Sequence, residues 1–261
     1  MKFKLESILL IVFLLLMVMN LVSAGDNSVV GTEDGKLMLD SDSAVLAENA
    51  NDINVKLSAT NSQNTLQSGE VGNYTELQRL IDNSSNGAIL SLDKNYAYSD
   101  GDPNLIEISK SITINGNGYK ISGENKKMSF FVSSANNVVL NNITFVNGNK
   151  NTMVWIKGND CLVDNCTFEN NSATYGALRF VGQNNIVKNS NFTNNNVNSG
   201  SAVLIAGNYN SVYNCTFENN GAGYYGGAIC INNCNNNIIN CSTFKGNKGN
   251  SGGAVYIYIW Q

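Results

Sequence analysis

The chain has no histidine, one proline (Pro103) and charge on only 14% of its residues. Each shortage excludes something. Without histidine there is no Ser-His-Asp triad, no Cys-His pair and no histidine-held metal. With 16 basic against 20 acidic residues, the chain is mildly acidic. It therefore has no basic patch with which to neutralise phosphates, and nucleic acid is not an expected partner. Apolar runs long enough to span a bilayer are also missing. Asn and Gly, by contrast, are abundant.

The one apolar run of note is Ile8 to Met19, preceded by Lys2 and Lys4 and followed by Val22-Ser23-Ala24. At about a dozen residues it is shorter than the ~20 needed to span a membrane. Residues 1–24 therefore read as a secretory signal, which leaves no membrane span in the mature chain. Residues 25–70 lack sustained periodicity and read as a disordered, low-complexity leader. Residues 71–87 read as a short capping helix. Thr75 and Gln78 have capping-box spacing, Leu77, Leu80 and Ile81 form one apolar stripe, and Asn86-Gly87 is a stop.

From Ala88 the signal is β. Ile89 to Leu92 and Ile112 to Ile114 are strand candidates, and Asn115-Gly116-Asn117-Gly118 is a turn. Beyond them a repeat emerges. Phe145, Phe168, Phe192, Phe217 and Phe244 recur at spacings of 23, 24, 25 and 27 residues. Five residues before each stands an aliphatic: Leu140, Val163, Val187, Val212 or Ile239. Three before stands Asn142, Asn165, Asn189 or Asn214, and then Cys241. A second anchor alternates apolar residues, as in Gly176-Ala177-Leu178-Arg179-Phe180 and Gly253-Ala254-Val255-Tyr256-Ile257.

The interval between the aliphatic and the phenylalanine breaks the two-residue period of a strand. A corner between them restores inward pointing for both. Asn suits that corner because it tolerates left-handed backbone. Coils of about two dozen residues must then stack ~4.8 Å apart to bury their apolar faces. The expected fold is all-β: residues 88–261 form a right-handed parallel β-helix, or solenoid, behind the capping helix. Its C-terminal coil is expected to be uncapped and able to self-associate.

Four stretches carry a resemblance: Ser111-Ile112-Thr113-Ile114-Asn115-Gly116-Asn117-Gly118, Leu140-Asn141-Asn142-Ile143-Thr144-Phe145, Cys215-Thr216-Phe217-Glu218-Asn219-Asn220 and Tyr225-Gly226-Gly227-Ala228-Ile229. From Tyr74 onward the chain resembles the Asn-rich adhesin-like proteins of methanogenic archaea. It is also similar to the repeats of polymorphic outer-membrane proteins and, by fold, to pectate-lyase-like proteins. The resemblance implies a secreted or cell-surface β-helix of the envelope that mediates adhesion.

Candidate sites are few. Trp155, Tyr256, Tyr258 and Trp260 alternate with inward aliphatics and should face outward, where they could stack on sugar rings. Cell-surface glycans or envelope proteins are the expected partners. Asn73 and Asn83 are the better glycosylation candidates among eight Asn-x-Ser/Thr sites. No catalytic, cofactor-binding or metal-ligating residue is expected. Glu169 and Glu218 lie two coils apart and read as solvated carboxylates. Arg179 reads as an outward surface charge. Gly221 to Gly226 fits the dinucleotide fingerprint only formally, since a strand rather than a helix follows. Cys166 and Cys215 share a repeat position and read as core residues; Cys230 could pair with Cys234 or Cys241. The leading expectation is an adhesin-like surface protein. The alternatives are a β-helical polysaccharide lyase or hydrolase and a purely structural envelope fragment.

Overall fold

The computed structural model describes residues 70–126 and 129–259. The expected signal, the leader up to residue 69, and Trp260 lie outside the described residues.

The protein is a parallel β-solenoid of about 7 turns, with one short helix among the described residues, as the repeat requires. Each full turn contributes strands to three sheets. The first, 7-stranded, runs from Ala88–Ser91 to Ile238–Asn240 and carries the aliphatics. The second, 8-stranded, runs from Gly72–Asn73 to Thr243–Lys245 and carries the phenylalanines. The third, 10-stranded, begins at Ile106–Ile108 and contains the longest strands, Asn149–Ile156 and Ser172–Phe180. Every pairing is parallel, and equivalent residues face one another: Val163 opposes Leu140 and Val187, and Phe192 opposes Phe168 and Phe217.

Register places like on like. The rings of Phe145, Phe168, Phe192, Phe217 and Phe244 stack at centroid spacings of 4.9, 4.7, 4.9 and 5.1 Å. These match the rise between strands. The first four are fully buried, and each contributes about 1.5–3 kcal/mol from burial alone.

The corners work by left-handed backbone, and there are three per turn. Asn142, Asn165, Asn189, Asn214 and Cys241 hold φ of 52°, 50°, 50°, 49° and 51° between the first and second sheets. Asn147, Asn170, Asn194, Asn219 and Gly246 do the same after the phenylalanine, and Asn137, Asp160, Asn184, Tyr209 and Asn236 before the aliphatic strand. Sequence spacing revealed only the first of these columns.

The residue after each corner points inward, and several of these are polar. Asn171, Asn195 and Asn220 are buried. The Nδ2 of each donates to the carbonyl of the preceding turn's phenylalanine, at 3.1, 2.9 and 2.8 Å. The Oδ1 of each accepts the backbone N–H of the equivalent residue one turn earlier: Gly148, Asn171 and Asn195. Asn185 and Asn210 form a second buried column in the same manner, accepting from Cys161 N and Asn185 N. Asn side chains therefore form ladders along the stack, and the buried ones sit on the residues after the corners. The first-corner side chains bond each other at the surface, as in Asn214 Nδ2 to Asn189 Oδ1.

The capping helix differs in detail from its sequence expectation. Helix α1 spans Tyr74–Asn83, with Asn73 as its cap: Asn73 Oδ1 accepts from Glu76 N at 2.8 Å. Thr75 and Gln78 do not form a capping box. Thr75 Oγ1 donates to Asp102 at 2.6 Å, and Gln78 bonds Asp82 and the backbone of Glu107. The helix ends at Ser84, not at Asn86-Gly87, because Ser84 N and Oγ satisfy the carbonyls of Ile81 and Leu80. A strand at Gly72–Asn73 precedes it, so sheet pairing begins before residue 88. Its apolar stripe, Tyr74, Leu77 and Ile81, joins the solenoid core.

Asp102 anchors the start of α1. It accepts from the backbone N–H of Tyr74, Thr75 and Ser99 and from the Thr75 hydroxyl. Burial would raise its pKa, but these hydrogen bonds outweigh burial and hold it below the ordinary 3.8. A depressed folded value stabilises the protein above the unfolded pKa, and the gain is lost as pH falls through the folded value. Asp102→Asn is therefore expected to lower stability by about 1–3 kcal/mol at neutral pH. The difference should shrink as pH drops below ~4. Denaturation midpoints of both proteins across pH 2–7 check this; a gap independent of pH would contradict it.

Candidate functional site

The third sheet presents one outward column: Glu107, Val132, Trp155, Arg179, Leu204, Cys230 and Tyr256, each paired with the next. Its flanking columns point inward. Val154, Leu178, Val203 and Ile229 on one side, and Ile156, Phe180 and Ile205 on the other, are fully buried. This alternation fixes Trp155 and Tyr256 on the outer face, as the sequence suggested. Tyr258 lies on the same strand as Tyr256, two residues on. Trp260 is outside the described residues.

The face is not a row of free rings. Arg179 stands over Trp155, with its guanidinium carbon 5.0 Å from the ring centroid, and lies 5.3 Å from the ring of Tyr175. Lys157 Nζ is 4.2 Å from the Trp155 centroid. Trp155 is accordingly only half-buried, with two cations over its ring. Arg179 is not a solvated surface charge: it too is half-buried, and burial lowers its pKa. Its Nε and the Trp155 Nε1 are buried and have no hydrogen-bond partner among the described residues.

Further along the column, Leu204 and Cys230 are 5% and 1% exposed although they face away from the core, to which neither belongs. Beyond them Tyr225, Tyr256 and Tyr258 form a group with centroids 5.6 to 6.4 Å apart. Tyr224, beside it in sequence, is 63% exposed. From Arg179 to Tyr256 is three turns, or about 14 Å at the solenoid rise.

Lys157, Arg179, Tyr175 and Tyr225 were not singled out as site residues from sequence. A signal did exist for two of them. Lys157 follows Trp155 by two, hence on the same face, and Arg179 follows Trp155 by one repeat. Tyr175, inside the strand Ser172–Phe180, and Tyr225, in a bend, both precede the second anchor, where spacing from the phenylalanine varies.

Other candidate chemistry lies elsewhere. Glu169 and Glu218 are on the second sheet, two turns apart through Thr193. Glu218 pairs with Lys245 at 2.9 Å, and Asp164 on the first sheet pairs with Lys188 at 3.2 Å. The carboxylates of Asp82 and Glu107 border a cleft of about 380 Å³ beside α1. The six cysteines are free. Burial pushes the thiols of Cys166, Cys215 and Cys230 up to about 12, 11 and 12, so they stay protonated at neutral pH. Asn73 and Asn83 are both exposed, at the two ends of α1. Among the described residues no helix is long and apolar enough to cross a membrane.

Comparison with known protein families, curated proteins and solved structures finds no match for this chain. The class that the structure defines is that of parallel β-solenoids.

Proposed function

We propose that the chain is an exported, adhesin-like solenoid of the cell surface or envelope, and that it binds glycans through the outer face of its third sheet. The observation that carries this reading is the single outward column joining Trp155 and Arg179 to the Tyr225–Tyr256–Tyr258 group. Aromatic rings held on a flat parallel sheet offer stacking surface for sugar rings at little entropic cost, because the backbone beneath is fixed on both sides. The sequence features for export, and the resemblance to surface adhesins, agree with this role.

The test is a glycan array probed with the intact protein and with Tyr256→Ala. Binding in the parent that falls tenfold or more in the variant, with unchanged circular dichroism, is the expected result. Equal binding by both, or none by the parent, would refute the assignment to this face. Glycan cleavage in the same samples would instead favour the enzyme class.

A further inference from the structure

Building on the glycan-binding reading, we propose that Arg179 and Lys157, seated on Trp155 and Tyr175, form a recognition site for a carboxylate-bearing sugar unit.

The chain is net negative, and its described ion pairs occupy Lys94, Lys126, Lys188 and Lys245. Arg179 and Lys157 are not among them. Two cations instead share one indole ring, 4.2 and 5.0 Å from its centroid. Bringing like charges together costs energy, and the rings offset part of it. Burial lowers the pKa of Arg179, and only Tyr175, not a carboxylate, opposes that shift. An anion arriving at Arg179 meets a cation that no described carboxylate pairs, with Lys157 on the same indole.

Stacking against Trp155 and Tyr175 limits the rotamers of Arg179, so less freedom is lost when it engages a ligand. Guanidinium matches a carboxylate through two parallel hydrogen bonds. The buried Nε of Arg179 and Nε1 of Trp155 have no acceptor among the described residues, so the guanidinium is held by ring contacts alone. Buried donors left without acceptors are uncommon and call for a reason.

A sugar fits this column better than an acidic peptide does. A polyanionic chain calls for a row of cations, whereas the column continues as Leu204, Cys230 and Tyr256. Leu204 and Cys230 between them are covered, so a sugar chain would make its contacts at the two ends, an acidic unit over Arg179 and a ring over Tyr256, about 14 Å away.

The experiment compares sodium alginate, carboxyl-reduced alginate and poly-L-glutamate by isothermal titration against the intact protein, Arg179→Gln, Arg179→Lys and Lys157→Gln. Alginate should bind, weaken with added salt, and bind at least tenfold better than its reduced form. Arg179→Gln should lose ten- to a hundred-fold. Arg179→Lys, which keeps the charge but not the paired geometry, and the exposed Lys157→Gln should fall between. Should Arg179→Gln misfold, the latter two carry the test. Equal binding of reduced and native alginate would overturn the acidic preference while leaving glycan binding intact. Poly-L-glutamate bound as tightly as alginate would overturn the sugar assignment. Absence of alginate binding would overturn this proposal, with the array still deciding the broader one.

Discussion

Replacing Phe192 by alanine is expected to cost about 3–5 kcal/mol. Phe192 is fully buried and lies between Phe168 and Phe217 at 4.7 and 4.9 Å, with interplanar angles of 5° and 6°. Its removal leaves a void closed above and below by rings that are themselves held by parallel ladders. Neither ring can collapse into the gap without breaking register, so the cavity persists and the cost falls at the upper end for its chemistry. Phe244 is only partly buried. Phe244→Ala should therefore cost clearly less, about 1–3 kcal/mol. Denaturant midpoints with unchanged slopes measure both. Turns contact mainly their neighbours, so two spectroscopic probes should be followed to establish that unfolding is concerted. Equal losses for the two variants would mean that burial within the ring stack does not set the cost.

The second large effect belongs to Asn195. Its Oδ1 accepts from Asn171 N at 3.2 Å and from Asn171 Nδ2 at 3.0 Å. Its Nδ2 donates to Phe168 O and Asn220 Oδ1, both at 2.9 Å. Asn195→Ala deprives the buried Asn171 N–H and Phe168 C=O of their side-chain partner, and Asn171 Nδ2 of one of its two acceptors. At about 1–3 kcal/mol per unsatisfied group, the loss should be about 2–5 kcal/mol. Asn195→Asp is the sharper probe, because the shape is kept while both donors vanish. A carboxylate there would be buried and would face two acceptor oxygens, so its folded pKa would rise. The stability of that variant should be greatest in acid and fall as pH rises through the aspartate range, whereas the parent should not share that trend. An Asp variant as stable as the parent at pH 7 would show that the ladder donors matter little.

The fold was legible in the sequence because its determinants are one-dimensional. Phenylalanine and aliphatic positions recur at a constant interval of five, and only a corner reconciles that interval with inward pointing. Asn at that corner announced itself by repetition. The other two corner columns were hidden because their occupants vary: Asp160 and Tyr209 stand in one, Gly246 in another. The buried ladder was missed for a different reason. Consecutive Asn residues such as Asn170-Asn171 look alike in sequence, yet the first turns the chain at the surface and the second bonds inside. The helix was placed correctly, but its caps were not. Asp102, 27 residues away in sequence, takes up Thr75, and no local pattern reports such a partner. The candidate site was legible as an outward aromatic face. The cations over Trp155 emerged only once the register between turns was known.

One feature of the coils bears on how such a chain can diversify. The distance from aliphatic to phenylalanine never changes, but nine, ten, eleven and ten residues separate Phe168, Phe192, Phe217 and Phe244 from Ala177, Ala202, Ala228 and Ala254. Length variation is thus admitted at the loop that feeds the outer face, where Tyr224 and Tyr225 reside, and refused at the corner that sets the stack. A lineage could reshape what this surface meets by lengthening or trimming chiefly that bend, turn by turn, while the shaft beneath keeps its pitch.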